Sequence, residues 1–146
     1  MTKGLFEVQE VLENYKMAVL EKDVEKFLSM YVPEIHIYDC WMNWESKGVA
    51  SWKETVTGWF AELRDDGILL KVDFHDIVIE EGSSLAFVHC AVTFAGHHEE
   101  SGEKLRQMIN RFTFGLKKMD GSWRITHEHS SLPINPESGK GIFESK

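Results

Sequence analysis

Cysteine is scarce in this 146-residue chain, which contains only Cys40 and Cys90. Both lie in apolar, strand-like segments, and neither belongs to a CxxC pair or to a cysteine and histidine pattern at zinc-site spacing. We therefore predict two reduced, buried thiols and no metal site.

Basic residues are also few: 16 Lys and Arg stand against 24 Asp and Glu, which gives a formal net charge of -8. Proteins that bind nucleic acids need clustered Lys and Arg to displace counterions from phosphate groups, and the sequence has no basic stripe. These features argue against a nucleic-acid partner.

Long apolar runs are missing as well. Charged residues interrupt the segment from Met1 to Leu20, so we expect neither a signal peptide nor a membrane span there. The expected location is the cytoplasm, without a membrane partner. The sequence also lacks internal repeats, a glycine-rich phosphate loop and a nucleophile elbow.

Aromatic residues, by contrast, are abundant, at 12% of the chain with five tryptophans. A chain of this length can bury a sizeable core as one domain. We assign residues 1–133 to that single domain. The remaining residues 134–146 contain Pro136, Gly139 and Gly141, and we expect them to form a loosely ordered C-terminal tail.

Three segments of the N-terminal half have apolar residues at helical spacing. The first opens the chain. The second is capped by Asp23 and ended by Pro33, and the third begins with the capping box Ser51–Glu54 and ends at Asp65–Gly67. An alternating run at residues 34–39 predicts a strand between the second and third helices.

From Ile68 to Pro133 the sequence has the alternation and turn signals of long consecutive strands. The apolar register changes near Asp76, which predicts a β-bulge there. Long, bulged strands form a strongly curved antiparallel sheet, and three preceding helices can close over its concave side.

The last predicted strand concentrates titratable side chains. Alternation places Trp123, Ile125, His127 and His129 on one face. The other face receives Arg124, Thr126 and Glu128. A face that is apolar at its start and lined by imidazoles at its end is typical of a pocket wall.

This order of helices and strands is similar to the cone-shaped fold shared by nuclear transport factor 2, the ketosteroid isomerases and the SnoaL-like polyketide cyclases. Several segments resemble the SnoaL-like branch: Tyr38-Asp39 before a Trp-rich linker, Trp59-Phe60, Ala86–His89, Asn110–Thr113 and, most specifically, Asp120–Ser131. The resemblance covers Leu5 to Pro133. It implies an α+β, cystatin-like (NTF2-like) fold, in which a cone-shaped curved antiparallel sheet is covered by three N-terminal helices.

Asp39 is similar in position to the base carboxylate of the ketosteroid isomerases, which stands at the end of the corresponding strand. In the isomerases a proline follows this aspartate, whereas Cys40 follows Asp39 in this sequence. A carboxylate that faces an apolar cavity loses hydration, which raises its pKa and makes it a better proton acceptor. The alternative is that Asp39 caps the backbone amides of the following loop.

His127 and His129 are predicted to donate to a substrate oxygen or to act as a proton-transfer pair. The alternative is a histidine fixed by a backbone carbonyl. The resemblance implies that Arg111 points into the cavity, where it would bind a carboxylate or carbonyl group. Pattern alone leaves open a surface or dimer-face position for Arg111.

Five further residues are predicted to line the substrate site as an aromatic or imidazole wall: Trp41, Trp44, Trp59, His89 and Trp123. The alternatives are that Trp59 belongs to the core and that His89 is a hydrogen-bonded core histidine.

The family includes isomerases, cyclases, dehydratases, epoxide hydrolases and non-catalytic dimerisation domains, so the fold alone does not imply an activity. The first hypothesis is an enzyme without a cofactor that transfers a proton on a small, mainly apolar carbonyl compound. The second is a non-catalytic ligand-binding or dimerisation module with the same cavity. Under either hypothesis we expect a homodimer through the convex sheet face, which the helices leave uncovered.

Overall fold

The computed structural model describes residues 6–143. Residues 1–5 of the predicted domain and residues 144–146 of the predicted tail lie outside this range. The helices are α1 (Val8–Glu21), α2 (Val24–Leu28) and α3 (Val49–Asp65). The strands are β1 (Tyr31–Tyr38), β2 (Ser46–Lys47), β3 (Ile68–Glu81), β4 (Leu85–His98), β5 (Lys104–Met119) and β6 (Ser122–Ser131).

The beginnings of the helices follow local sequence chemistry. The Asp23 side chain accepts a hydrogen bond from the Lys26 backbone N–H and caps α2, as predicted. Helix α3 begins two residues before the predicted capping box, because Gly48 takes the N-cap position with a φ of 85°. At that dihedral angle a residue with a side chain would be strained, so glycine is well suited to this position.

The six strands form one sheet in the order β2-β1-β6-β5-β4-β3. Strands β3 to β6 are antiparallel neighbours, as predicted, whereas β1 runs parallel to β6. The first and last regions of the domain therefore meet in the sheet. This pairing brings the residues after β1 next to those at the end of β6.

Aromatic side chains fill the space between the helices and the inner face of the sheet. Phe27, Phe60 and Phe114 are fully buried, and the Tyr15 ring meets Phe27 edge-on at a centroid distance of 4.9 Å. Aromatic rings packed edge-to-face add to the free energy of burial. The aromatic content of the sequence is thus largely explained by the core.

Two bulges change which side chains face inward. In β3 the register shifts between His75 and Val78, and Asp76 has a φ of 53°, which confirms the predicted bulge. In β6 a second shift leaves Thr126 without a partner on β5, since Gly115 pairs with His127 and Leu116 pairs with Ile125. The second bulge was not predicted, and it determines the composition of the site.

Candidate functional site

A cavity of about 600 Å³ lies between the inner sheet face and the helices. Most of its wall is apolar and aromatic, formed by Trp41, Trp52, Trp59, Leu63, Leu70, Phe94, Met108, Phe112 and Phe143. Its polar lining includes Tyr15, Asp39, Asn110 and Glu128. A concave, mainly apolar site with a few convergent polar groups is the usual form of a small-molecule site.

Asp39 lies directly after β1 and lines this cavity, as predicted. Burial raises the pKa of Asp39, and hydrogen bonds from the backbone N–H groups of Cys40 and Trp41 and from Ser130 oppose that rise. The Ser130 hydroxyl donates to Asp39 Oδ1 over 3.3 Å and accepts from the Cys40 N–H over 3.1 Å. Asp39 therefore combines both predicted properties: it faces the cavity with a raised pKa and it caps the loop.

Three carboxyl side chains line the cavity: Asp39, the exposed Glu62 and Glu128. Glu128 is 3% exposed. The pKa of Glu128 is raised to about 8, mainly by burial and to a smaller extent by the negative charge of Asp39, while a hydrogen bond from Tyr31 acts in the opposite direction. The Tyr31 hydroxyl donates to Glu128 Oε1 over 2.5 Å. With a pKa of about 8, Glu128 is mostly protonated at neutral pH and has a proton to donate.

Tyr15 adds a phenol to the same wall. Burial raises the pKa of Tyr15 well above its usual value, and the nearby charges of Glu128 and Asp39 raise it further. The phenol therefore stays neutral and keeps its proton for donation. Its ring is held by the edge-on packing against Phe27 and Phe74.

Asn110 projects from β5 into the cavity and is 3% exposed. Its Nδ2 donates to Cys40 Sγ over 3.4 Å, and burial raises the pKa of the Cys40 thiol, so the thiol is neutral. Among residues 6–143 the Asn110 Oδ1 atom has no hydrogen-bond partner. Buried amide oxygens in folded proteins are usually paired.

The predicted positions of His127 and His129 are wrong. Neither lines the cavity, because the bulge at Thr126 inverts the alternation of β6 and turns Glu128 and Ser130 inward. His127 Nδ1 lies 2.6 Å from the backbone carbonyl oxygen of His36. Because a carbonyl oxygen only accepts hydrogen bonds, Nδ1 is the donor. This contact is the alternative that we predicted for one of the two histidines, and His129 is exposed.

Arg111 and His89 also lie outside the cavity lining, contrary to the prediction for both. Both side chains are exposed, and the register pairs His89 with Thr113 and Arg111 with Ser131 on the outer sheet face. Arg111 Nε donates to Ser131 Oγ over 3.3 Å. The arginine of the cavity lining is instead Arg106, five residues earlier on β5.

The predicted tryptophan wall is partly present. Trp41 and Trp59 line the cavity, as predicted. Trp44 does not, and it is 86% exposed, while Trp123 is fully buried in the core before the bulge. Trp52 is also part of the lining.

The segment after β6 turns back towards the cavity. Ile134 forms an isolated bridge with Gly141, and the Ile109 N–H donates to the Phe143 carbonyl over 2.6 Å. The Phe143 ring stacks on Trp41 at 5.9 Å with an interplanar angle of 17°, and both line the cavity. The part of the tail up to Phe143 thus contributes to the site.

Sequence reasoning missed Glu128, Asn110 and Arg106 as cavity residues. One signal was present for Glu128: Gly115 lies in the interior of a predicted strand, and such glycines often mark a bulge. A signal was also present for Asn110, because Phe112, Phe114 and Leu116 make its face of β5 the more apolar one.

Within residues 6–143, no group of three His, Cys, Asp or Glu side chains is arranged to bind a metal ion. In the same part of the chain, no helix has the length and apolar character needed to cross a membrane.

Comparisons with known proteins agree with this architecture. A family described as SnoaL-like domain matches residues 8–135. No curated protein matches the sequence.

Three solved structures illustrate the similarity of fold. An NTF2-like protein of unknown function from Pseudomonas putida KT2440 is 20% identical, with a TM-score of 0.83 over 95% of this chain and 93% of that chain. An NTF2-like protein with a cystatin-like fold from Novosphingobium aromaticivorans is 15% identical, with a TM-score of 0.73 over 91% of this chain and 84% of that chain. An NTF2-like superfamily protein from Salmonella enterica is 16% identical, with a TM-score of 0.68 over 92% of this chain and 94% of that chain. These similarities confirm the predicted cone-shaped, cystatin-like fold.

Proposed function

The chain belongs to the SnoaL-like domain family, and from the chemistry of its cavity we propose that it is a general acid–base enzyme. Its substrate is a small, mainly apolar carbonyl compound, and its reaction is an isomerisation, cyclisation or dehydration without a cofactor. The supporting observation is that two carboxyl groups with raised pKa values, Asp39 and Glu128, line one apolar cavity. Carboxyl groups in different environments of one site can serve as base and acid.

In the proposed reaction Asp39 is the base. Its carboxylate takes a proton from the carbon next to the carbonyl group, and the C–H electron pair forms a carbon–carbon double bond. The carbonyl π electrons move to the oxygen, which becomes an enolate. The protonated Glu128 donates to this oxygen, since donors fixed in a desolvated site stabilise developing negative charge strongly.

Proton exchange on a model ketone tests this proposal. We expect the protein to accelerate exchange of the α-protons of α-tetralone in D2O at neutral pH by at least about 100-fold over buffer, the lower range for general acid–base catalysis. Exchange is measured by the loss of the α-proton NMR signal. The proposal would be rejected if α-tetralone and its ring-substituted analogues all exchanged their α-protons no faster with the protein than in buffer alone.

One observation favours a non-catalytic ligand-binding module instead. Asp39 accepts hydrogen bonds from Cys40, Trp41 and Ser130, and these lower its pKa and hence its basicity. Binding of the ketone without acceleration of exchange would identify the cavity as a binding site only.

We also propose that the outer sheet face forms a homodimer. Val78, Leu85 and Phe87 project from this face, and each is more than a third exposed. Exposed apolar groups on a regular sheet face favour burial against a second copy of the same face in a two-fold arrangement.

Replacing Phe87 by lysine should disrupt this dimer. In a two-fold interface each substitution occurs twice, and the new charges would lose hydration on association. We expect Phe87→Lys to raise the dimer dissociation constant at least about 10-fold, since an interface aromatic residue often contributes more than 1.4 kcal/mol. Light scattering after gel filtration measures the mass. Met42→Lys, at an exposed loop residue, is the control, and a wild-type monomer at all concentrations would contradict the proposal.

A further inference from the structure

We infer that Tyr31 is a positioning residue for the acid of this cavity: its hydroxyl group holds Oε1 of Glu128, so that the other oxygen, Oε2, carries the acidic proton towards the ligand. The inference rests on the proposed function, in which Glu128 is the acid. It assigns a role in catalysis to a side chain that does not itself line the cavity.

The contact between the two side chains is short and buried. The Tyr31 hydroxyl lies 2.5 Å from Glu128 Oε1, between the paired strands β1 and β6. Both residues are buried. Phe27 and Trp52 pack against the Tyr31 ring at centroid distances of 5.5 and 6.1 Å. This packing fixes the ring, and with it the position of the hydroxyl group beside the carboxyl group.

The direction of the hydrogen bond follows from the available acceptors. Among residues 6–143, Glu128 Oε1 is the only acceptor in hydrogen-bond contact with the Tyr31 hydroxyl. The neighbouring Trp52 cannot accept the phenol proton, because an indole N–H only donates. Buried tyrosine hydroxyl groups usually have a hydrogen-bond partner. Tyr31 therefore donates to Oε1, and the proton of the neutral acid is carried by Oε2.

The second oxygen of Glu128 is accessible from the cavity. Oε2 forms no hydrogen bond within the described part of the chain, and it is not one of the side-chain atoms there that are fully buried without a partner. It therefore keeps accessible surface. Because Glu128 is a buried residue whose side chain lines the cavity, this surface faces the cavity. A ligand oxygen can thus approach the proton on Oε2.

The same hydrogen bond stabilises the group that remains after proton transfer. When Glu128 gives its proton to the ligand oxygen, the O–H bond breaks and its electron pair stays on the carboxylate. The Tyr31 hydroxyl then donates to a charged group, and such hydrogen bonds are stronger than those between neutral groups. In agreement, the contact with Tyr31 lowers the pKa of Glu128.

Three other titratable side chains lie close enough to Glu128 to interact with its charge: Tyr15 of α1, Asp39 after β1 and Cys90 of β4. None of them is a cation, and the negative charge of Asp39 disfavours ionisation of Glu128. Among the described residues, Tyr31 is thus the group that favours the ionised form of the acid.

The carboxyl titration of Glu128 in Tyr31→Phe tests the inference. Phenylalanine keeps the ring and removes only the hydroxyl group. We expect the pKa of Glu128 to rise by at least about one unit, the effect of losing a hydrogen bond to a charged group. Carbon-13 NMR of protein labelled at the glutamate carboxyl groups measures the pKa, and Glu128→Gln assigns the signal. The control is Tyr38→Phe, which removes a hydroxyl from the same strand outside the cavity lining and should leave the pKa unchanged.

The pH profile of α-proton exchange separates positioning from a merely structural role. In the wild type we expect kcat to fall as the pH rises through the pKa of Glu128, because the ionised group has no proton to donate. In Tyr31→Phe this fall should move to higher pH by the same amount as the carboxyl titration. A lower rate at every pH, with the fall at its wild-type position, would overturn the inference.

An unchanged pKa of Glu128 in folded Tyr31→Phe would also overturn it. If that variant does not fold, carbon-13 labelling of Cζ in the tyrosines of the wild type replaces it: the Tyr31 signal should shift with the midpoint of the Glu128 titration, and a constant signal would contradict the inference. A wild type that exchanges no α-protons would reject the proposed enzyme activity. The titrations need no substrate, so they would still decide whether Tyr31 sets the acidity of Glu128.

Discussion

Asp39→Asn is expected to lower the rate of α-proton exchange by about 100- to 10,000-fold, the range that a positioned general base contributes. The amide keeps the shape of the side chain and one acceptor oxygen, so the hydrogen bonds from Cys40 and Ser130 have a partner in the variant. It has no basic oxygen that can take up a proton. Affinity for a neutral ketone should therefore change only slightly, and the loss should appear in kcat.

The matched control is Asp65→Asn, which removes an exposed carboxylate at the last residue of α3. It changes the net charge by the same amount and leaves the cavity intact, so exchange should proceed at the wild-type rate. Loss of activity in both variants would indicate an effect of overall charge. Full activity of Asp39→Asn would exclude Asp39 as the base.

Glu128→Gln is expected to make the protein more stable than the wild type at alkaline pH. The pKa of Glu128 is about 8 in the folded protein, against an ordinary value of 4.5. Between these pH values the folded state binds more protons than the unfolded state, so wild-type stability falls as pH rises from about 4.5 to 8 and is constant above that window. The full cost of ionising the buried group is on the order of 5 kcal/mol.

The glutamine side chain does not titrate, so the variant does not lose stability through this residue as the pH rises. Its amide oxygen can still accept from the Tyr31 hydroxyl. Guanidinium unfolding at several pH values between 5 and 9 measures the difference. We expect similar stabilities near pH 5 and an advantage of several kcal/mol for Glu128→Gln above pH 8.

Glu80→Gln, at an exposed position of β3, serves as the control and should follow the wild-type pH profile. If Glu128→Gln followed that profile too, Glu128 would have an ordinary pKa and would be ionised at neutral pH. It would then be unable to donate a proton to a substrate oxygen, and the acid role in the proposed function would fail.

Local patterns predicted the fold well. Helical spacing located α1 to α3, and the change of apolar register located the bulge near Asp76. These features depend on interactions between residues close together in the chain, which the sequence displays directly. The order of the elements, together with the resemblance over Asp120–Ser131, then implied the cone-shaped fold.

The candidate site was predicted only in part. Asp39, Trp41 and Trp59 were placed correctly because their positions follow from the end of a strand and one face of a helix. His127 and His129 were misplaced because strict alternation fails after a bulge: one extra residue moves every later side chain to the other face.

By itself, the sequence determined the acidic charge, the three helices, the long curved strands and the base candidate Asp39. Only the tertiary structure decided that Glu128 and Asn110 face the cavity and that Arg111 and His129 do not. The physical reason is that which face of a strand is inward depends on its pairing with neighbours distant in the chain. Because of one bulge opposite Gly115, the cavity is lined by Glu128, a buried carboxyl group with a raised pKa, and not by His127 and His129.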